Sequence, residues 1–302
     1  MKKFIIQIVV FTFLCVVVAE AVIRVFNLTI DVPKSYRTKS GIAKYYPNQS
    51  GKFQGGSHIW EINKYGHSGK APGSLDDLII LYGDSYIENF MNPVSCHQNV
   101  YLKELLPEYN YFEIARAGCT LIEDLENSKE ADSLKPKLEV IYVNDKDFTE
   151  SIASINKKKE FVKVDLDKNK IVYSNYRESV YKDVLYNFKF AYYLYRNVWL
   201  NDGGEKEGQK IEKKEPLPFN EIEKLLDYVN KNYDLKGKIF VFSPDSDKDL
   251  VALCSKAGFK TFMLNAPDLK AWQLETDSHW SCHGHNEAAK QVKEFIMHSL
   301  AK

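Results

Sequence analysis

Four residue groups in this chain stand in an order that can carry acyl transfer from an ester: Gly83-Asp84-Ser85-Tyr86, Gly118, Asn144-Asp145 and Asp277-Ser278-His279-Trp280. Ser85 is a hydroxyl nucleophile, weak until a base takes its proton. His279 is the candidate base. Asp277 is the candidate acid that orients the imidazole and stabilises the imidazolium. The backbone N–H groups of Ser85 and Gly118, with the side-chain amide of Asn144, form a candidate oxyanion hole. Each such donor contributes on the order of 3 kcal/mol in a transition state. Singly, each group has an ordinary explanation: a Gly-Asp-Ser that caps a helix, an Asn-Asp loop, a chance Asp-x-His. Order and strand context make the set specific.

The elements that must position these groups are readable as strand and helix alternation. Leu78 to Tyr82 is a short apolar run suited to a buried parallel strand. Tyr111 to Ala115, Leu138 to Val143, Lys238 to Phe242 and Thr261 to Leu264 read as four more strands. Between them lie predicted helices: Val100 to Leu106; Leu121 to Leu134, acidic on its exposed face; Phe219 to Tyr233; and Asp247 to Lys256, ended by Gly258. A last helix is expected from about His285 to Ser299. Strands alternating with helices predict a parallel sheet covered on both faces. Ligands bind beyond the carboxyl ends of such strands. Ser85, Gly118 and Asn144 each follow a strand, and Asp277 and His279 precede the last helix, so the candidates fall on one edge.

Residues 150–218 interrupt the alternation. Phe161 to Leu166 and Ile171 to Ser174 predict a hairpin around Asp167-Lys168-Asn169-Lys170. Ser179 to Leu200 predicts one long helix. Its stripe of Tyr181, Val184, Leu185, Phe188, Tyr192, Tyr195, Val198 and Trp199 is expected to face the core, with a membrane-surface or sugar-stacking face as the other reading. Asp202 to Pro218, rich in Gly, Lys and Glu, predicts a mobile loop. Residues 27–77 read as a loop-rich lead-in with short strands such as His58 to Ile62.

The N-terminus is of another kind. Met1-Lys2-Lys3 precedes a run from Phe4 to Ala19 broken only by Gln7 and Thr12. A spanning helix takes roughly 20 apolar residues, and Phe4 to Val22 nearly reaches that. Residues 1–26 are therefore expected to be a membrane anchor or signal segment, the anchor being preferred; Ala19-Glu20-Ala21 is the candidate cleavage site of the other reading. Lys2 and Lys3 predict a cytoplasmic N-terminus and an exported domain. Lysine plus arginine equals aspartate plus glutamate at 41 each, which gives no sign of a nucleic-acid partner. Four cysteines lie outside the apolar run: Cys96, Cys119, Cys254 and Cys282. Export permits disulfides, and the pairing stays open. Cys119 and Cys282 each neighbour a candidate site group, so a bond there would brace the site. His279, Cys282, His283 and His285 invite a zinc reading, but one tight loop is an awkward cage and no second ligand cluster is evident.

These blocks resemble those of the SGNH, or GDSL-type, hydrolases. Gly83-Asp84-Ser85-Tyr86 matches the first block, Ala117-Gly118 the second, Asn144-Asp145 the third, and Asp277-Ser278-His279-Trp280 with Gly284-His285 the last. The likeness covers residues 78–302, with 150–218 as an insertion. Asn63-Lys64-Tyr65-Gly66 resembles the Asn-x-x-Gly lead-in of membrane-anchored members. Two departures stand out: Tyr142 where many members have glycine, and Asp277 two rather than three residues before the histidine. The resemblance implies a flavodoxin-like three-layer α/β/α fold with a five-stranded parallel sheet and no metal or organic cofactor. It implies a serine esterase acting on acylated carbohydrate or another small ester, membrane-bound through its N-terminal helix with the catalytic domain periplasmic or at the cell surface. Two alternatives use the same fold: an O-acyltransferase modifying a cell-surface polysaccharide, and a non-catalytic polysaccharide-binding or assembly protein.

Overall fold

Five short runs, four of them almost wholly buried and the fifth half-buried at one edge, build the centre of the molecule. In the computed structural model, which describes residues 1–174, 179–199, 216–275 and 277–301, they form one sheet. Its strands are β1 (Leu78–Gly83), β2 (Asn110–Ala115), β3 (Leu138–Val143), β4 (Lys238–Phe242) and β5 (Thr261–Met263). The order is β2-β1-β3-β4-β5 and every pairing is parallel, the flavodoxin-like arrangement. Alternate residues feed two separate cores. Leu78, Ile80 and Tyr82 pack with Leu121, Leu125, Ile222 and Leu250 on one face. Ile79 and Leu81 pack with Leu102, Ala288, Val292 and Ile296 on the other.

The chain begins with α1 (Lys2–Val25). It is long and apolar enough to cross a membrane, and its most apolar window is not buried by the rest of the molecule. The lead-in holds two small antiparallel ribbons, Ser35–Arg37 with Ala43–Tyr45 and Gln49–Lys52 with Ile59–Ile62. The sheet's covering layers hold α2 (Ser85–Glu88), α3 (Gln98–Leu105), α4 (Leu121–Ala131), α5 (Asp145–Glu150), then α8 (Phe219–Asn232), α9 (Lys248–Lys256), α10 (Leu269–Trp272) and α11 (Cys282–Leu300). The insertion supplies the hairpin Lys163–Asp165 with Lys170–Val172, then α6 (Val180–Asn187) and α7 (Lys189–Leu194).

Four expectations need correction. Three acids of α4 do not face water: Glu123, Asp124 and Glu126 are buried, and Glu130 alone is exposed. Partners explain the burial of two of them: Arg116 donates to Glu123 at 2.8 Å, and the hydroxyls of Tyr173 and Tyr233 donate to Glu126 at 2.8 and 2.9 Å. The single long helix over Ser179 to Leu200 is instead α6, α7 and a wide turn at Tyr195–Trp199, broken at Phe188 (φ −91°, ψ 89°). Its stripe does not face the core: Tyr181 and Val184 are 88% and 62% exposed, while Tyr192 is buried. The last helix starts earlier than expected, at Cys282, because the Ser281 side chain accepts from the Gly284 amide and caps it. Of the predicted loop from Asp202 to Pro218, residues 202–215 lie outside the described residues.

Candidate active site

The carboxyl end of β1 delivers the serine. Asp84 caps α2 by accepting from the Tyr86 amide at 2.9 Å, so Ser85 opens the helix just beyond the strand. Gly83 is needed for close approach: a Cβ there would lie 2.7 Å from Ile87 Cγ1 as α2 folds back. Asn144 ends β3 and caps α5 in a capping box, its Oδ1 accepting from the Lys146 amide at 2.8 Å and Asp147 accepting from its own amide at 2.7 Å. Its Nδ2 donates to Asp84 Oδ2 at 3.1 Å. The blocks after β1 and β3 are thus joined through one carboxylate. Burial raises the pKa of Asp84, against the hydrogen bonds from Tyr86 and Asn144 and the nearby charge of His279.

The C-terminal block closes the set. Asp277–Trp280 forms a strand paired with Gln273–Leu274 in front of α11. His279 Nε2 lies 2.8 Å from Ser85 Oγ, and His279 Nδ1 lies 2.6 Å from Asp277 Oδ1. The two-residue spacing of acid and base therefore still closes the contact. The His279 backbone amide also donates to Asp277 Oδ1 at 3.2 Å, which fixes the carboxylate under the ring. Gly118 lies after β2 with a left-handed φ of +75°. A Cβ there would sit 3.4 Å from the Phe161 ring, so the insertion reaches the second block. Thr120 holds it there: its hydroxyl caps α4 and donates to the Val162 carbonyl at 2.6 Å.

Several supporting contacts carried no sequence signal. The Tyr86 ring lies 4.8 Å from His279 and its hydroxyl donates to the Ser278 carbonyl at 3.2 Å. Asn92 Nδ2 donates to the Trp280 carbonyl at 2.8 Å and to Asn89 Oδ1 at 2.7 Å, and Asn89 Nδ2 donates to the Cys96 carbonyl at 3.1 Å. This chain of amides ties the end of α2 to the strand that carries the histidine. A disulfide between Cys96 and Cys282 runs beside it. That pairing decides what the sequence left open: Cys119 is buried and free, and burial lifts its thiol pKa well above the ordinary value. Only proximity in the fold, across 186 residues, selects Cys96 as the partner.

The candidate metal cluster does not converge. Cys282 is in the disulfide, and His283 faces solvent. His285 is buried against Trp280 with Gln98 Nε2 at 3.2 Å from its Nδ1, and burial pulls its pKa down to about 3. Among the described residues, no group of three His, Cys, Asp or Glu is placed to hold a metal ion. Tyr142, the departure in the third block, points to the other face of the sheet, where its hydroxyl donates to Gln98 at 3.2 Å. The Asn63-x-x-Gly66 turn is closed by Asn63 Oδ1, which accepts from the Tyr65 amide at 2.9 Å. Gly66 has φ +82°, and a Cβ there would lie 2.5 Å from the Tyr45 carbonyl.

No family model matches the chain, and no curated protein matches it. Solved structures that it resembles in fold include a protein assigned to the lipolytic G-D-S-L family from Desulfitobacterium hafniense DCB-2, at 10% identity and a TM-score of 0.37, covering 72% of this chain and 99% of that one. TesA resembles it at 11% identity and a TM-score of 0.37, with 74% and 99% covered. A member of the lipolytic G-D-S-L family from Veillonella parvula DSM 2008 stands at 10% and 0.37, with 73% and 98% covered. At that distance, chemistry must be argued from this chain's own site.

Proposed function

We propose that the protein is a membrane-anchored serine esterase that removes O-acyl groups, acetyl foremost, from envelope carbohydrate through an acyl-enzyme. The single observation that carries this reading is the continuous contact from Ser85 Oγ through His279 to Asp277. Ser85 attacks the ester carbonyl as its proton passes to His279 Nε2, and Asp277 accepts from the Nδ1–H and stabilises the imidazolium. Negative charge on the former carbonyl oxygen meets Asn144 Nδ2 and the amides of Ser85 and Gly118. Collapse expels the alcohol, which takes the proton from His279. Water then repeats the sequence and frees the acid. The exposure of Asp277 and His279, 40% and 22% for their side chains, favours water as the second acceptor over a sugar hydroxyl. Tyr86 packs on His279 and Phe161 lies against Gly118, so both rings border the site.

The anchor reading has its own support. Glu20 and Arg24 of α1 are hydrogen-bonded into the domain, so cleavage after Ala21 would remove Glu20 from its partners. The Lys2-Lys3 flank and the Cys96–Cys282 disulfide both fit an exported domain. Labelling with a serine-directed fluorophosphonate is the test: the parent is expected to take up the probe and Ser85→Ala to take up none. A folded parent that takes up no probe and turns over no acyl ester, yet binds glycan equally well as Ser85→Ala, would replace the esterase with the binding-protein reading. Turnover that requires an acceptor glycan would replace it with the transferase.

A further inference from the structure

The apolar face of α6 is where pattern and packing disagree most. Tyr181, Val184 and Phe188 recur at helical spacing, yet they are 88%, 62% and 39% exposed. What stands beside them is the end of α1. Glu20 accepts from the amides of Lys189 and Phe190 at 3.2 and 2.6 Å, satisfying two of the first N–H groups of α7. Arg24, held by Glu20 at 2.6 Å, donates to the Asn187 carbonyl at 2.6 Å, at the last turn of α6. Lys189 Nζ then reaches Asp31 at 2.7 Å and the Ile30 carbonyl at 3.0 Å, just beyond α1. The junction of α6 and α7 is therefore fixed on the end of the helix that is long and apolar enough to span a bilayer.

We infer that α6 lies on the bilayer surface beside α1, with Tyr181, Val184 and Phe188 seated among lipid at the headgroup boundary. This rests on the reading of α1 as a retained anchor. Continuity favours lipid as the occupant. Val25, Phe26 and Leu28 are 71%, 63% and 36% exposed and carry the apolar surface of α1 up to the junction that Arg24 and Lys189 hold. A short helix with one apolar face is buried about 5–10 Å into the interface, and tyrosine, with an apolar ring and a polar tip, is enriched at that depth. The break at Phe188 is what the placement requires: one straight helix could not both follow the membrane and enter the domain at Tyr192, which is buried. The membrane contact then sets the orientation of the whole domain, because α6 and α1 give it two points of attachment rather than one swivel.

Nitroxide accessibility in proteoliposomes tests this on the full chain. Single labels are introduced in a Cys15→Ser background by Val184→Cys, with Phe13→Cys on α1 and Lys248→Cys on α9 as references. Unchanged fluorophosphonate uptake confirms that each variant is folded. At 184 and at 13 the ratio of oxygen to nickel-chelate collisions is expected to exceed that at 248 several-fold. A label at 184 as open to the nickel chelate as that at 248, with 13 in lipid, overturns the proposal and leaves the anchor standing. A label at 184 shielded from both reagents also overturns it, because protein then covers the face. A label at 13 open to the nickel chelate removes the anchor reading, and the proposal with it.

Discussion

The sheet edge that carries the candidate site and the α6–α7 segment use the same kinds of residue to opposite ends. β1 is apolar at every position before Gly83 and is buried at every one, because helices cover both faces of its sheet. The stripe on α6 is as apolar, but no sheet lies beneath it, and Val184 stays 62% exposed. Apolar periodicity reports a face that avoids water; it does not report what covers that face. In β1 the cover is two protein layers that hold Ser85 still. On α6 no described part of the chain covers Tyr181 or Val184. Under the proposed function, rigidity at the first region and attachment at the second are the two demands on an anchored enzyme that must present a fixed site.

The largest expected effects lie at the rigid edge. Ser85→Ala and His279→Ala should each reduce acyl-ester kcat by about 10⁴-fold or more, and the double variant should lose little further, since the two groups act as one unit. Additive losses in steady-state kinetics would show that they are not one relay. Next is the support of that edge: Leu81→Ala should lower unfolding free energy by about 2–5 kcal/mol in urea titrations, the range for a leucine truncated in a packed core. A loss under 1 kcal/mol would break the contrast with α6. Asn144→Ala should cost roughly 10²-fold in kcat, the usual loss for one oxyanion donor. An unchanged kcat would move the oxyanion elsewhere.

A smaller effect probes the buried charge below α2. Burial pushes the pKa of Glu88 up to about 7, although the Tyr45 hydroxyl donates to it at 2.6 Å. The folded state therefore binds this proton more tightly than the unfolded chain does. Its contribution is fully present below the unfolded value of 4.5 and is lost as pH rises through about 7. Glu88→Gln should remove that slope, so the stability difference between parent and variant should change by on the order of 2–3 kcal/mol between acid and pH 8. A parallel pair of urea curves across that range would show that Glu88 does not titrate there. The smallest effect is expected at Val184→Ala in detergent, within about 0.5 kcal/mol of the parent because the side chain packs on little protein. A loss as large as that at Leu81 would mean that the face is covered by the chain itself.

How much was legible follows from the range of the forces involved. The strands were readable because a parallel strand covered on both faces excludes polar residues from a short run. The exceptions, Glu113, Glu139 and Lys238, were not readable as buried. They lie within strands because Glu139 pairs with Lys238 and Glu113 meets His97 and the Asn99 amide. Glu123 and Glu126 of α4 misled for the same reason: charge predicts exposure unless a partner such as Arg116 or Tyr233 satisfies it. Ser85, His279 and Asp277 were legible as candidates because their types and order are local facts. Asn92 and the contact of Phe161 were not, since any loop can hold such residues and only their neighbours give them a use.

The sequence by itself determined the alternation of strands and helices, the apolar N-terminal run and the four groups that can serve an ester, because each is written in residue type and spacing over a few positions. Tertiary structure alone decided which cysteine Cys282 joins, that a two-residue spacing lets Asp277 reach His279, that Glu123, Asp124 and Glu126 turn inward, and that the stripe on α6 stays outside. Those outcomes depend on contacts between segments up to 194 residues apart, as between Ser85 and His279. Local propensity carries no information about such pairs, and only the closing of the sheet brings them within hydrogen-bond distance.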